Sequence, residues 1–179
     1  MKFIVLSGAI KNAGDFLIVQ RSLNLLKGVY PDADMQVLER SKNLAPHLQA
    51  INAADAVILA GGPCIQADIY PSGIPLVDNL DDIKVPIFTI GMGWYGRSDA
   101  SDDVYHRFAL TPRTHVLFSR LAQDYDISCR DWESMHILRQ YGIPNVIMTG
   151  CPAWYAPAMD TAYLPRVTSK VQSSTGGGH

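Results

Sequence analysis

Four times along the chain a short aliphatic run ends in glycine. The run 3–6 leads into Ser7 and Gly8 and on to Asn12, Gly14 and Asp15; the run 56–60 leads into Gly61, Gly62 and Pro63. The run 85–90 leads into Gly91, Met92 and Gly93, and the run 146–148 into Thr149, Gly150, Cys151 and Pro152. Such runs, when helical segments separate them, are strands of a sheet buried on both faces. In an open α/β sheet the turns after the strands gather at the carboxyl edge, where missing side chains let a ligand approach backbone N–H groups and helix N-termini. A binding crevice along that edge is where any activity is expected.

The segments between the runs have helical spacing. Asp15 is placed to cap a helix carrying Phe16, Val19, Leu23, Leu26 and Tyr30 on its apolar side, with Gly28 and Pro31 at its end. Residues 35–38 read as a second strand, and Pro46 opens a helical segment through Ala53 that leads into the third strand at 56–60. A fourth strand covers 84–90; 98–103 reads as an exposed loop, 104–109 and 113–122 as helix-compatible, and 127–129 as a short strand. Asp131 caps a helix to Tyr141 with Trp132, Met135 and Leu138 on one face, Glu133 in the first turn and Gly142 as the stop; 145–148 is a sixth strand. This alternation predicts an α/β fold, a Rossmann-like open, mostly parallel sheet with helices on both faces and right-handed crossovers. Residues 1–156 form that domain. Residues 157–179 show no periodicity, and their small polar end reads as a flexible linker or a remnant of cloning.

Composition narrows the function classes. With 179 residues, 47% of them hydrophobic, the chain can bury one substantial core, and a net charge of -2 provides no basic stripe for nucleic acid or anionic lipid. No apolar run is long enough to cross a bilayer, and the first one, 3–10, already contains Ser7 and Gly8 and precedes no usable cleavage site. Cys64, Cys129 and Cys151 cannot all pair within one chain and form no CxxC, so a reducing, cytoplasmic compartment is expected and zinc is not. The cysteines read as small buried apolar residues, and His106, His115 and His136 as structural or surface residues of helices. No spacing suggests a metal site, and no cofactor is expected.

The motifs, taken in order, resemble the polysaccharide pyruvyl transferase family. They are Asn12-Ala-Gly14-Asp15 opening an amphipathic helix, Gly61-Gly62 followed by Gln66 and Asp68, Gly91-Met-Gly93, Ser128-Cys-Arg130-Asp131 with Ser134 one turn on, and Thr149-Gly-Cys-Pro152-Ala. The resemblance implies a two-domain arrangement similar to GT-B glycosyltransferases, with phosphoenolpyruvate as donor and a saccharide as acceptor. The product is a pyruvate ketal that adds a carboxylate to a glycan in cell-surface or exopolysaccharide biosynthesis. Family members are about twice this length on the domain-size argument. The resemblance therefore implies that the chain is the N-terminal half, that the second domain with most of the donor site is absent, and that this chain alone does not turn over. Two departures stand out: Pro63-Cys64 replaces a third glycine that many relatives carry, removing a backbone donor, and Cys151 stands where many relatives have aspartate before the proline.

Asn12, Gly14, Asp15, Gly61, Gly62, Asp68, Gly91, Gly93 and Arg130 are the candidate substrate-binding residues; no catalytic acid is singled out. Each has a structural reading beside the functional one. Capping alone accounts for Asp15 and Asp131 at about 1 kcal/mol each. Arg130, at a buried strand end, requires a carboxylate such as Asp68 or Asp131, or else an anionic ligand. Asp68 either caps the next segment or hydrogen-bonds sugar hydroxyls, and the glycines either open a crevice or permit tight turns and helix packing. Trp94-Tyr95 and Trp154-Tyr155 offer stacking surfaces to a sugar ring or belong to the core. The alternative function is a stand-alone or inactive module that binds a sugar or a small anion.

Overall fold

The structure, a computed structural model, describes residues 1–96, 109–123 and 125–155. In chain order these form β1 (Lys2–Ser7), α1 (Ala13–Val29), β2 (Asp34–Glu39), a 3₁₀ turn (Ala45–His47) running into α2 (Leu48–Asn52), β3 (Ala56–Ile65), a 3₁₀ turn (Leu80–Asp82) and β4 (Ile87–Trp94). Then follow α3 (Pro112–Leu121), β5 (Ile127–Cys129), α4 (Trp132–Gln140), β6 (Val146–Met148) and a last 3₁₀ turn (Pro152–Trp154). The six strands make one sheet in the order β2-β1-β3-β4-β5-β6, and every pairing is parallel. The predicted open α/β architecture is therefore the observed one. The predicted loop 98–103, most of the helix-compatible stretch 104–109 and the tail from 156 lie outside the described residues.

Alternation along the central strands sorts the core into two layers. Ile4, Leu6, Val57 and Leu59 bury into a large cluster with Ile51 of α2, Leu117 and Phe118 of α3, and Ile137 and Leu138 of α4. Phe3, Val5, Ala56, Ile58 and Ala60 point the other way, into a smaller cluster with Val19 of α1. Both faces of β1 and β3 are thus apolar and covered, as all-parallel sheets require. From β1 the chain steps outward to β2 and then returns to β3 on the other side of β1. The carboxyl ends of β1 and β3 are consequently the topological switch point, where open α/β sheets bind their ligands.

Several local expectations are revised. Asn12, rather than Asp15, caps α1: its side-chain oxygen accepts the Gly14 N–H at 2.9 Å, which leaves Asp15 three residues along in the first turn. A carboxylate there is favoured by the helix dipole without serving as the cap. The buried stripe of α1 is Ile18, Val19 and Ser22, while Phe16 and Tyr30 are exposed, because the helix turns the 18–22 edge toward β3. In α4, Met135 and Leu138 are buried as expected, but Trp132, the first helical residue, is 66% exposed. Asp131 does cap α4, accepting the Ser134 N–H at 2.8 Å, and Gly142 ends it at φ 73. Removing the true cap of α1, Asn12→Ala, is expected to cost about 1 kcal/mol. A drop in melting temperature of a few degrees, absent in Asp15→Asn, checks this assignment.

The largest revision concerns the glycines. β3 and β4 do not stop before them but run straight through, so Gly61, Gly62 and Pro63 lie inside β3, and Gly91, Met92 and Gly93 inside β4. The strands stay paired across this stretch, with Ala60 opposite Ile90, Gly62 opposite Met92 and Pro63 opposite Gly93. Gly61, Gly62 and Gly91 adopt φ of 59, 83 and 61, a left-handed backbone that other residues rarely take. They are kinks within strands, comparable to bulge positions, and not loops.

Candidate functional site

Two arginines stand at the carboxyl edge in equivalent positions. Arg40 is the first residue beyond β2, and its backbone N–H still bonds to Ser7 O of β1 at 2.8 Å. Arg130 is the first residue beyond β5, and its N–H bonds to Met92 O of β4 at 2.9 Å. Each side chain is therefore anchored at the rim by the sheet's own ladder. Each also lies across a glycine. A Cβ on Gly8 would come within 2.5 Å of Arg40 Cζ, and one on Gly93 within 2.0 Å of Arg130 Nε.

The Arg40 guanidinium spans the ends of three strands. From β2 it crosses Gly8 after β1 and donates to β3, Nη1 to Gly61 O at 2.7 Å and Nη2 to Pro63 O at 3.2 Å. The kink at Gly61 and Gly62 sits where these carbonyls meet it. Arg40 Nη1 and Asp15 Oδ1 lie 3.5 and 3.8 Å from the point a Gly62 Cβ would occupy. Gly8, Asp15, Arg40, Gly61 and Gly62 thus enclose one small recess at the switch point, with Ile18 and Val19 of α1 behind them.

Arg130 has the carboxylate partner that its half-buried position demands. Its Nε donates to Asp131 Oδ2 at 3.2 Å. The other oxygen, Oδ1, accepts both the Ser134 N–H and the Ser134 hydroxyl, and Ser134 Oγ accepts the Trp94 N–H at 2.7 Å. Asp131 is thus helix cap and ion-pair partner at once. Asp68 plays neither part: it is exposed in a turn after β3, where its carboxylate accepts from Ser72 Oγ and, at 3.5 Å, from Thr111 Oγ1.

The remaining candidates fall into two groups. Asn12 and Gly14 are committed to each other through the cap of α1, and the Asp15 and Phe16 N–H groups are taken by Asn12 O. At Gly61 and Gly91 the side-chain space is occupied by protein. A Cβ on Gly61 would lie 2.8 Å from both Ile18 Cγ2 and Ile90 O, and one on Gly91 would lie 2.6 Å from Pro152 Cδ and 2.7 Å from Gly150 O. Here the missing Cβ lets α1 and the Pro152–Trp154 turn approach the sheet. Gly8, Gly62 and Gly93 instead make room for the arginines at the rim. Behind them a buried hydroxyl chain ties β4 to β5 and the residues after β6: Gly91 N–H and Thr149 Oγ1 both meet Ser128 Oγ, and Ser128 N–H donates to Thr89 Oγ1 at 2.8 Å.

Cys64 and Cys129 are fully buried and Cys151 is half-buried. Burial pushes the Cys64 thiol up, against the lowering charges of Arg40 and Arg130, and burial also pushes Cys129 up to about 12. Both thiols therefore hold their protons in the folded state at a pH where the unfolded chain, with the ordinary thiol value of 9.0, has released them. Stability is expected to fall as pH rises above 9.0 toward about 12, at about 1.4 kcal/mol per pH unit for Cys129, and Cys64 acts in the same direction. Alkylation of native protein at pH 8 that spares Cys64 and Cys129, together with a denaturation midpoint that declines above pH 9, checks this.

Among the described histidines, His115 bonds to Tyr141 O and Ser119 Oγ and His136 to Gln140, as structural residues of helices do; His106 lies outside the described residues. Tyr95, Trp154 and Tyr155 are exposed beyond the strand ends, whereas Trp94 packs partly against the large core cluster. A larger apolar groove of about 430 Å³, lined by Phe3, Ile58, Phe88 and Tyr125, lies over the α1 face of the sheet and not at the arginine rim. Its one acidic lining residue, Asp55, accepts the Lys2 N–H. No group of three or more metal-ligating side chains occurs among the described residues.

Arg40 is the component that sequence reasoning missed. Nothing in its spacing marks it; a cation just past a strand becomes informative only when the neighbouring strand ends are known. The order of the remaining motifs was readable, and comparison with known families agrees with it. The sequence model for polysaccharide pyruvyl transferase matches residues 12–175. The chain belongs to the polysaccharide pyruvyl transferase family. No curated protein and no solved structure matches it. In this pyruvyl transferase family member the match begins at the Asn12 cap and takes in both arginines and the kinked strands. Family membership implies a saccharide acceptor. None of the described helices is long and apolar enough to cross a membrane.

Proposed function

We propose that the chain holds a saccharide acceptor at the carboxyl edge of its sheet and takes part in transferring pyruvate from phosphoenolpyruvate to it, as the N-terminal, GT-B-like half of a pyruvyl transferase. The observation that carries this reading is the family match over residues that build a polar recess at the topological switch point. In the reaction the methylene carbon of the donor gains a proton and becomes a methyl group. The adjacent carbon gains bonds to two acceptor oxygens, and phosphate leaves with the bridging oxygen. Of the two protons released by the acceptor hydroxyls, one balances the new C–H bond and the other departs with phosphate. Asp15, half-buried beside Gly62 and not needed as a cap, is placed to accept an acceptor hydroxyl and take its proton. Gly62 keeps that approach open, and the exposed rings of Tyr95 and Trp154 offer faces to a sugar.

The test is transfer of pyruvate from phosphoenolpyruvate to a panel of saccharides, followed as phosphate release and ketal formation, with this chain and with any longer form that carries it. Absence of ketal in every case overturns the reading and leaves a sugar- or anion-binding module. Asp15→Asn is expected to lower turnover about 100-fold or more, since a positioned base contributes at least that much. Its melting temperature should stay near that of the unaltered chain; a large drop instead would make Asp15 structural.

A further inference from the structure

We propose that the apolar groove on the α1 face of the sheet is the seat of the residues that follow Tyr155 in this same chain, so that 156–165 close over β4 beside α1. The inference rests on the fold and not on the proposed function.

The topology leaves one face short of cover. After β2 every connection runs the same way across the sheet, and right-handed crossovers send each of them to the same side. Ile74 and Leu80 between β3 and β4, Leu117 and Phe118 of α3, and Ile137 and Leu138 of α4 all join the large cluster there. Among the described helices only α1, which runs back from β1 to β2, lies on the other side. A helix is about 10–12 Å wide, whereas six strands spaced about 4.8 Å apart span about 24 Å. One helix cannot cover such a sheet, and parallel sheets are covered on both faces. The shortfall falls on β4 to β6. Phe88 and Ile90 of β4 are only half-buried, and Tyr125 before β5 and Ile147 of β6 are exposed. The groove of about 430 Å³ opens there, between Leu26 of α1 and the paired rings of Phe88 and Tyr125, whose centroids are 4.2 Å apart.

The chain is delivered to this face. Pro152 sits against the kinks at Gly61 and Gly91, on the side where Ile18 of α1 meets Gly61, and Tyr155 follows it directly. From Gly91 back to Phe88 is three residues of β4, about 10 Å. The ten residues 156–165 reach that far even as a helix, which rises about 1.5 Å per residue. Their composition suits the groove: they carry Met159, Tyr163 and Leu164 and a single charge, Asp160, whereas the serine and glycine run begins only at Ser173. The groove in turn offers no unpaired charge, since Asp55 accepts the Lys2 N–H. One turn beyond Ile18, Arg21 Nε is buried with no acceptor among the described residues, and Asp160 is the carboxylate that the segment brings to α1. A tethered segment acts at an effective concentration in the millimolar range, which favours it over a second copy of the chain.

The test compares the 179-residue chain with one ending at Tyr155, using a fluorescent apolar dye, and follows tryptic cleavage after Arg166 in the longer chain. The shortened chain is expected to bind the dye at least about fivefold more strongly, because its groove is open. In the full chain Leu164→Asp should raise dye binding as well and speed cleavage after Arg166 about tenfold, the loss of one buried leucine contact. Tyr125→Asp, at the groove itself, should speed the same cleavage. If the shortened chain does not fold, these two variants still decide the matter. Equal dye binding with and without 156–179, or unchanged cleavage in both variants, overturns the proposal. So does a dimer by light scattering whose dissociation alone opens the groove, since a second copy is then the cover. Turnover is not read, so failure of the transfer assay and failure of this inference are separate results.

Discussion

Gly91→Ala is expected to destabilise the fold by about 2–6 kcal/mol. Gly91 holds φ at 61, where an alanine costs roughly 1–3 kcal/mol, and its new methyl carbon would lie 2.6 Å from Pro152 Cδ and 2.7 Å from the Gly150 carbonyl oxygen. Neither neighbour is the free end of a flexible side chain. Relieving the contact means moving the Pro152–Trp154 turn away from α1 and the sheet, and overpacking of this kind costs a further ~1–3 kcal/mol. Together these come to about 2–6 kcal/mol, a large part of the stability of an ordinary domain, about 5–15 kcal/mol. Circular dichroism and denaturant titration check the outcome; a Gly91→Ala protein within about 1 kcal/mol of the unaltered chain would mean that the turn packs differently.

Gly93→Ala, two residues along the same strand, is expected to do the reverse. Its backbone is outside the left-handed region, so the conformation suits alanine. The clash falls entirely on the Arg130 side chain, with Nε at 2.0, Cζ at 2.4 and Cδ at 2.7 Å, and that side chain can swing outward. Doing so breaks a partly exposed ion pair to Asp131, which is worth no more than about 1 kcal/mol, while the Asp131 cap on Ser134 survives. The fold should therefore persist with a nearly unchanged midpoint. Under the proposed function, pyruvyl transfer by a form that turns over should fall by about 100-fold, since a displaced guanidinium removes a fixed positive charge from the rim. Loss of the fold, or full activity with the fold intact, would each contradict the placement of Arg130.

This contrast between neighbouring glycines also shows how far the sequence could be read. Glycine after an apolar run signals a left-handed backbone, which turns and kinked strands share. Whether Gly61 and Gly91 end their strands or bend them depends on the partner strand continuing alongside, as Ala60 and Gly62 find Ile90 and Met92. That is a non-local fact. The same holds for α1, where Asn12 and Asp15 are both competent caps three residues apart and the choice between them lies in how the chain leaves β1. Asp131 and Arg130 were easier to read because they are adjacent in sequence, so their pairing needs little beyond the end of β5 and the start of α4. Arg40 could not be read at all. Its partners are 21 and 23 residues away, and its passage depends on a glycine just beyond the end of a third strand.

By itself the sequence determined the alternation of buried strands and capped helices, the parallel sheet that follows from it, and the family whose motifs it carries in order. These rest on local patterning: hydrophobic period, caps and breakers act over a few residues and leave their mark there. Only the tertiary structure decided which glycines serve packing and which clear a path for arginine, and that β2, β3 and β5 meet at one rim with two guanidinium groups upon it. Those outcomes depend on the register between strands remote in the chain, which no run of neighbouring residues encodes.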